Sequence, residues 1–136
     1  MGDTEMILLD THAWIWWVSN PEKLSIAAKR AIDHVRENSE ILISSISAWE
    51  VALLVHKERL KLTMEVSEWI ARSERLGFVR FVPMDNTIAV KSVNLPGHLH
   101  RDPADRIIIA TAKNADVPVV TKDEKILNYP HIETIW

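Results

Sequence analysis

The chain contains no cysteine. Disulfide staples and cysteine-based zinc sites are therefore excluded, and a reducing compartment is expected. Only three of the 136 residues are glycine, and no glycine-rich phosphate loop occurs, which argues against a nucleotide-driven motor or a kinase. No apolar run approaches the roughly 20 residues needed to cross a membrane. The opening stretch MGDTEM is short and acidic, unlike a signal peptide, so a cytoplasmic protein without a membrane partner is expected. An excess of positive charge is also lacking. Sixteen Lys and Arg stand against nineteen Asp and Glu, a net charge of −3, which exerts no general pull on nucleic acid. Binding of that kind would need a local basic patch, or metal ions covering local negative charge.

What is present is an ordered, apolar-rich chain, with 47% hydrophobic residues. The length fits one domain over residues 1–136, with residues 1–5 read as a disordered or appended N-terminus. EMILLD reads as a short buried strand. THAWIWWVSN carries Trp14, Trp17 and Val18 at helical spacing and stops at Asn20-Pro21. KLSIAAKRAIDHVRE places Ile26, Ala27, Ala31, Ile32 and Val35 on one helical face, with Ser25 as a cap. EILIS is a second strand, and SISAWEVALLVHKERL a helix with Trp49, Leu53 and His56 or Lys57 on successive turns. VSEWIARSERLG is a further helix stopped by Gly77. FVRFVP is a third strand, DNTIAVKSVNLPG a helix and HLHRD a polar loop. PADRIIIATAKNADVP is a helix with proline in its first turn. VVT is a fourth strand, and HIETIW a candidate fifth at the edge. Short apolar strands alternating with helices of ten residues or more imply βαβ crossovers and a mostly parallel sheet covered on both faces.

Ligands in open α/β sheets bind beyond the carboxyl ends of the strands, and acids stand there. Asp10 follows ILL, Glu50 follows ILIS within two turns of chain, and Asp123 follows VVT. Asp105 lies at the start of the helix that leads into the last strand. Each also has a structural reading. Ser47-x-x-Glu50 and Thr121-x-x-Glu124 are capping patterns, and Asp102 with Pro103 and Asp105 forms a helix start. Together, however, several carboxylates at one sheet edge repel one another unless protonated or neutralised by a cation. Oxygen-only donors favour Mg2+ or Mn2+. Such an ion neutralises a phosphodiester and activates the attacking water.

The blocks LLDTHAWIWW, ISSISAWEVALL, LPGHLHRDPADRIIIATA and VVTKDEKI resemble, in this order, those of PIN-domain ribonucleases. The VapC-type toxins of toxin–antitoxin pairs are the subgroup that they most resemble, and the resemblance runs from about Ile7 to the C-terminus. It implies a three-layer α/β/α sandwich with four to five mostly parallel strands. It also implies an Mg2+- or Mn2+-dependent endoribonuclease. Asp10, Glu50 and Asp105 match the family's three main acids, and Asp123 the fourth. Thr11 and Thr121 match hydroxyl positions beside the first and fourth. The implied partners are RNA (tRNA or ribosomal RNA), a VapB-type antitoxin and a second copy of the chain.

In the resulting reading Asp10 and Asp105 are primary metal ligands. Glu50 is a ligand through water or a base for the attacking water, and Asp123 is outer-shell or on a second ion. Thr11, Thr121, Arg106 and Lys122 are candidate substrate contacts, with Lys57, Arg59, Lys61 and Arg101 as further basic residues. Asp102 is read as a cap, and His98-x-His100 as structural or incidental, because a third zinc ligand is not evident and the segment reads as a loop. Tryptophans 14, 16, 17, 49 and 69 are expected in core or interface. Trp14, Trp16 and Trp17 cannot all point inward, so at least one is expected to be exposed. Three rivals remain in view. A phosphatase using Asp10 as nucleophile would need a second acid where His12 stands. A phospho-accepting receiver could use Asp85 but lacks the early acid pair. The third is a catalytically inactive PIN-like module that only binds RNA or protein.

Overall fold

The computed structural model describes residues 5–136, and the expectation of disorder at the N-terminus falls outside the described residues for positions 1–4. The strands are β1 (Ile7–Leu9), β2 (Ile41–Ser44), β3 (Val79–Val82), β4 (Val119–Val120) and β5 (Thr134–Ile135). The helices are α1 (Thr11–Ser19), α2 (Ile26–Asn38), α3 (Ser45–His56), α4 (Val66–Glu74), α5 (Asn86–Val93), α6 (Pro103–Ala115) and α7 (Glu124–Leu127). All five strands pair in parallel, in the order β3-β2-β1-β4-β5.

β1, β2 and β4 are buried on both faces, which explains their continuous apolar runs. Alternation still sorts them. Ile7, Leu9, Ile41 and Ile43 face one core with Trp14, Ile32, Val35, Val51 and Trp69. Leu8, Leu42 and Val119 face Ile108 and Ala112 of α6 on the other side. The chain is thus a three-layer α/β/α sandwich. The strand order reverses between β1 and β4, the crevice where α/β folds place ligands.

Several local expectations are revised. The buried stripe of α2 is Ala28, Ile32 and Val35, reached through Leu24, whereas Ile26 is 69% exposed. Val18 faces solvent, because the buried residues of α1 lie in its first half. Trp49 is also exposed rather than packed; Val51 is the apolar residue that α3 buries fully. α3 ends at His56 and not near Leu60. Glu58 adopts a left-handed φ of 58°, and the amides of Glu58 and Arg59 bond back to the carbonyls of Val55 and Leu54. That is a Schellman termination on a glutamate. α6 ends likewise, on Asp116 at φ 55°. α4 stops at Glu74, before Gly77.

Candidate active site

β1 delivers Asp10 to the crevice. Its carboxylate caps α1, accepting from the Ala13 amide at 2.8 Å through Oδ1. Thr121, just past β4, donates its hydroxyl to Oδ2 at 2.5 Å. This bond spans the point where the strand order reverses. Asp10 is only 6% exposed, and burial pushes its carboxyl up to about 6 against the pull of these hydrogen bonds.

Glu50 arrives from α3. Ser47 is not a cap, because β2 runs straight into the helix and Ser44 takes the capping position, bonding the Ile46 amide. Glu50 therefore lies beyond the first turn, where it caps nothing. Thr11 Oγ1 is 2.5 Å from Glu50 Oε1 and 2.9 Å from Ser47 Oγ. The single threonine proton goes to the carboxylate, and the serine hydroxyl donates to the threonine. Burial, with Asp105, Asp102 and Asp10 nearby, raises Glu50 to about 7.

Asp105 stands in the first turn of α6. His100 Nε2 meets its Oδ2 at 2.6 Å. Burial raises its pKa, assisted by Asp102 and Asp123 and opposed by His100. Asp102 is the expected cap, accepting from the Ala104 and Asp105 amides. Asp123 caps α7 at the Lys125 amide, while its own amide donates to Thr121 Oγ1. The rival phospho-acceptor Asp85 is the cap of α5, bonded to the Ile88 amide, and does not line this cleft.

Asp10, Thr11, His12, Trp16, Glu50, Asp102, Asp105, Lys122 and Asp123 line one open cleft of about 400 Å³. Five acids from four separate parts of the chain thus converge. A larger cleft of about 710 Å³ lies between α5, α6 and the C-terminal segment, with Val90, Leu95, Pro118 and His131 in its wall. None of the acids with a raised pKa lines it; Asp10, Glu50 and Asp105 all line the smaller cleft.

A PIN domain family model matches residues 7–132. The chain belongs to the PIN-domain family. It is 36% identical to Ribonuclease VapC22 of Mycobacterium tuberculosis (strain ATCC 25618 / H37Rv), over 96% of this chain and 98% of that one. Its fold is similar to VapBC2 from Rickettsia felis bound to a promoter DNA fragment, with TM-score 0.70, 15% identity and coverage of 96% and 97% of the two chains. It is also similar to Mycobacterium tuberculosis VapC20, a sarcin-ricin loop cleaving toxin, with TM-score 0.66, 15% identity and coverage of 93% and 97%.

The four acids named from the sequence of this PIN domain come together, but three of the candidate substrate contacts have other work. Thr11 and Thr121 hold acids. Arg106 directs its guanidinium to the backbone carbonyls of Ser92, Val93, Leu99 and His100, so it is not free to grip a phosphate. Lys122 alone of the four remains at the cleft as a cation, 5.9 Å above the Trp16 ring. The contact of His100 with Asp105 has no signal in the sequence, because the two lie five residues apart across a loop whose path no periodicity reveals. No described helix is long and apolar enough to cross a membrane.

Proposed function

We propose that this PIN domain is an endoribonuclease that hydrolyses RNA phosphodiesters with Mg2+ or Mn2+, acting as the toxin of a toxin–antitoxin pair. The observation that carries the reading is the convergence of Asp10, Glu50 and Asp105 in one cleft, each on its own side-chain donor. Their burial penalises the charged forms, so three mutually repelling carboxylates are kept together at a cost that a divalent cation removes. The donor set is oxygen, as a hard ion requires.

Asp10, Glu50 and Asp105 would hold the ion, with Asp123 at the rim as outer support. When bound, it supplies charge neutralisation at the phosphate and a more acidic water. Glu50 would serve as the proton acceptor in the cleft. A carboxylate with a pKa of about 7 is matched to proton transfer near neutrality. Thr11 donates to its Oε1, which leaves Oε2 to take the proton. Trp16 and Lys122 give the cleft an aromatic face and a cation for a nucleotide.

The partner is an antitoxin of the kind paired with VapC proteins, with a second copy of the chain completing a homodimer, and the compartment is the cytoplasm. Exposed apolar residues such as Trp49, 56% exposed beside Glu50, suit such contacts.

The test is incubation of a total RNA pool with the protein, with Mg2+, Mn2+ or EDTA. Wild type is compared with Glu50→Gln and Asp105→Asn, both checked for native unfolding transitions. Metal-dependent cleavage by wild type that both variants lose is expected, and the new RNA ends identify the target. RNA retention without cleavage under either metal leaves a binding module instead.

A further inference from the structure

Two of the three central acids are held by threonine hydroxyls from neighbouring elements. The third, Asp105, is held by a histidine in a segment with no regular secondary structure. Residues 94–102 join α5 to α6, and a ring on such a segment would ordinarily change rotamer freely. Here it is tied from both ends. Tyr129 donates its hydroxyl to the Pro96 carbonyl at 2.5 Å. Arg106 reaches back from α6 to bond Ser92 O at 2.9 Å, Val93 O and Leu99 O at 3.3 Å, and His100 O at 3.4 Å. The residue next to Asp105 thus fixes the backbone of the residue that fixes Asp105.

We infer that His100 is a positioning residue for the metal site, and that its Nε2–H holds the Asp105 carboxylate in the orientation that receives the cation. The inference rests on the metal-dependent reading above. The histidine side chain is 20% exposed and that of Asp105 16%, so water competes little for this bond. His100 Nδ1 is buried and has no hydrogen-bond partner among the described residues. A proton there would be an unsatisfied buried donor, which is costly. The tautomer with its proton on Nε2 is the one that the surroundings satisfy. Carboxylates that bind metals are themselves hydrogen-bonded, and removal of such a partner costs about 10–100-fold in metal affinity. His100 supplies that partner from a loop, whereas Thr11 and Thr121 supply it from next to a strand.

The experiment measures Mn2+ affinity by electron paramagnetic resonance on the full chain, for wild type, His100→Ala and His100→Gln, with thermal unfolding as the check on folding. A glutamine amide nitrogen reaches the position of Nε2 and restores a donor. His100→Ala should bind Mn2+ at least about tenfold more weakly, and His100→Gln should recover most of that loss. Nitrogen-15 long-range NMR of wild type should show the His100 proton on Nε2, a readout that holds even where the alanine variant does not fold. Equal affinity of His100→Ala and wild type overturns the inference and leaves the metal-dependent reading intact. So does an Nε2 that carries no proton. A glutamine variant as weak as alanine also overturns it, since a donor at that position would then not suffice. Absence of Mn2+ binding by wild type overturns both readings together.

Discussion

Replacing Asp10 by asparagine should make the metal-free protein more stable while removing its function. The carboxyl of Asp10 rises from an ordinary 3.8 to about 6 on folding. The folded state thus binds this proton more tightly than the unfolded state does. Stability contributed by the protonated form is lost as pH rises from about 4 through about 6. Above that window the folded chain carries the full penalty of a buried charge, about 3 kcal/mol for a rise of this size. Asparagine keeps an acceptor for the Ala13 amide and carries no charge. Allowing about 1 kcal/mol for a poorer bond to Thr121, the net gain at pH 8 is about 2 kcal/mol. For a domain of this size that is a rise in Tm of about 6 °C.

The pH dependence separates this cause from ordinary improvement in packing. At pH 5 the wild-type penalty has fallen to about half, so the advantage of Asp10→Asn should shrink accordingly. Glu50, raised to about 7, acts in the same direction with a window reaching higher pH, though its partial exposure screens it. Thermal unfolding in EDTA at pH 5 and pH 8, followed by tryptophan fluorescence, reads both effects. Saturating Mn2+ at pH 8 should raise the Tm of wild type and leave that of Asp10→Asn nearly unchanged. A variant that melts below wild type at pH 8, or that keeps the same advantage at both pH values, would refute the reasoning.

Ser73→Ala should cost about 1–2 kcal/mol, because it leaves the buried Trp14 indole N–H without its 3.0 Å acceptor; a urea titration with an unchanged midpoint contradicts this. Glu58→Gly should stabilise the chain by about 0.5–1 kcal/mol by relieving a left-handed glutamate at an exposed helix end, and a lower Tm in that variant counts against the assigned strain.

The centre of the sheet was legible because β1, β2 and β4 are short apolar runs buried on both faces, whereas β3 was legible from its alternation and β-rich composition. The acids were legible because polar residues that end such strands stand out. Capping patterns were a poor guide to the rest. Ser47-x-x-Glu50 matches a capping box, yet β2 passes into α3 without a loop, so the helix starts too early for the pattern to apply. Asp10 and Asp123 cap helices and line the cleft at once, so a capping role does not remove an acid from the cleft. The end of α3 was invisible for a compositional reason. In a chain with three glycines, left-handed turns fall to Glu58 and Asp116, residues that carry no breaker signal. The partners of His100 and Arg106 were not legible for another reason, since they are set by the path of residues 94–102, which is fixed by contacts distant in sequence.

The choice of partners around the acids also has a physical logic. A lysine or arginine paired with Asp10, Glu50 or Asp105 would orient it well but would cancel the charge that a cation needs. Among the described residues, none of these acids forms a salt bridge with lysine or arginine. The donors are two threonine hydroxyls and one imidazole, which fix direction at little cost in negative potential. Arg106, one residue from Asp105, is turned onto four carbonyls, and its charge is spent on the loop. Lys122 stands over an aromatic ring at the cleft wall. Lysine and arginine are thus kept from pairing with the three acids, while Lys122 stays in the cleft lining. A site built only to satisfy helix caps has no reason to sort its charges in this way.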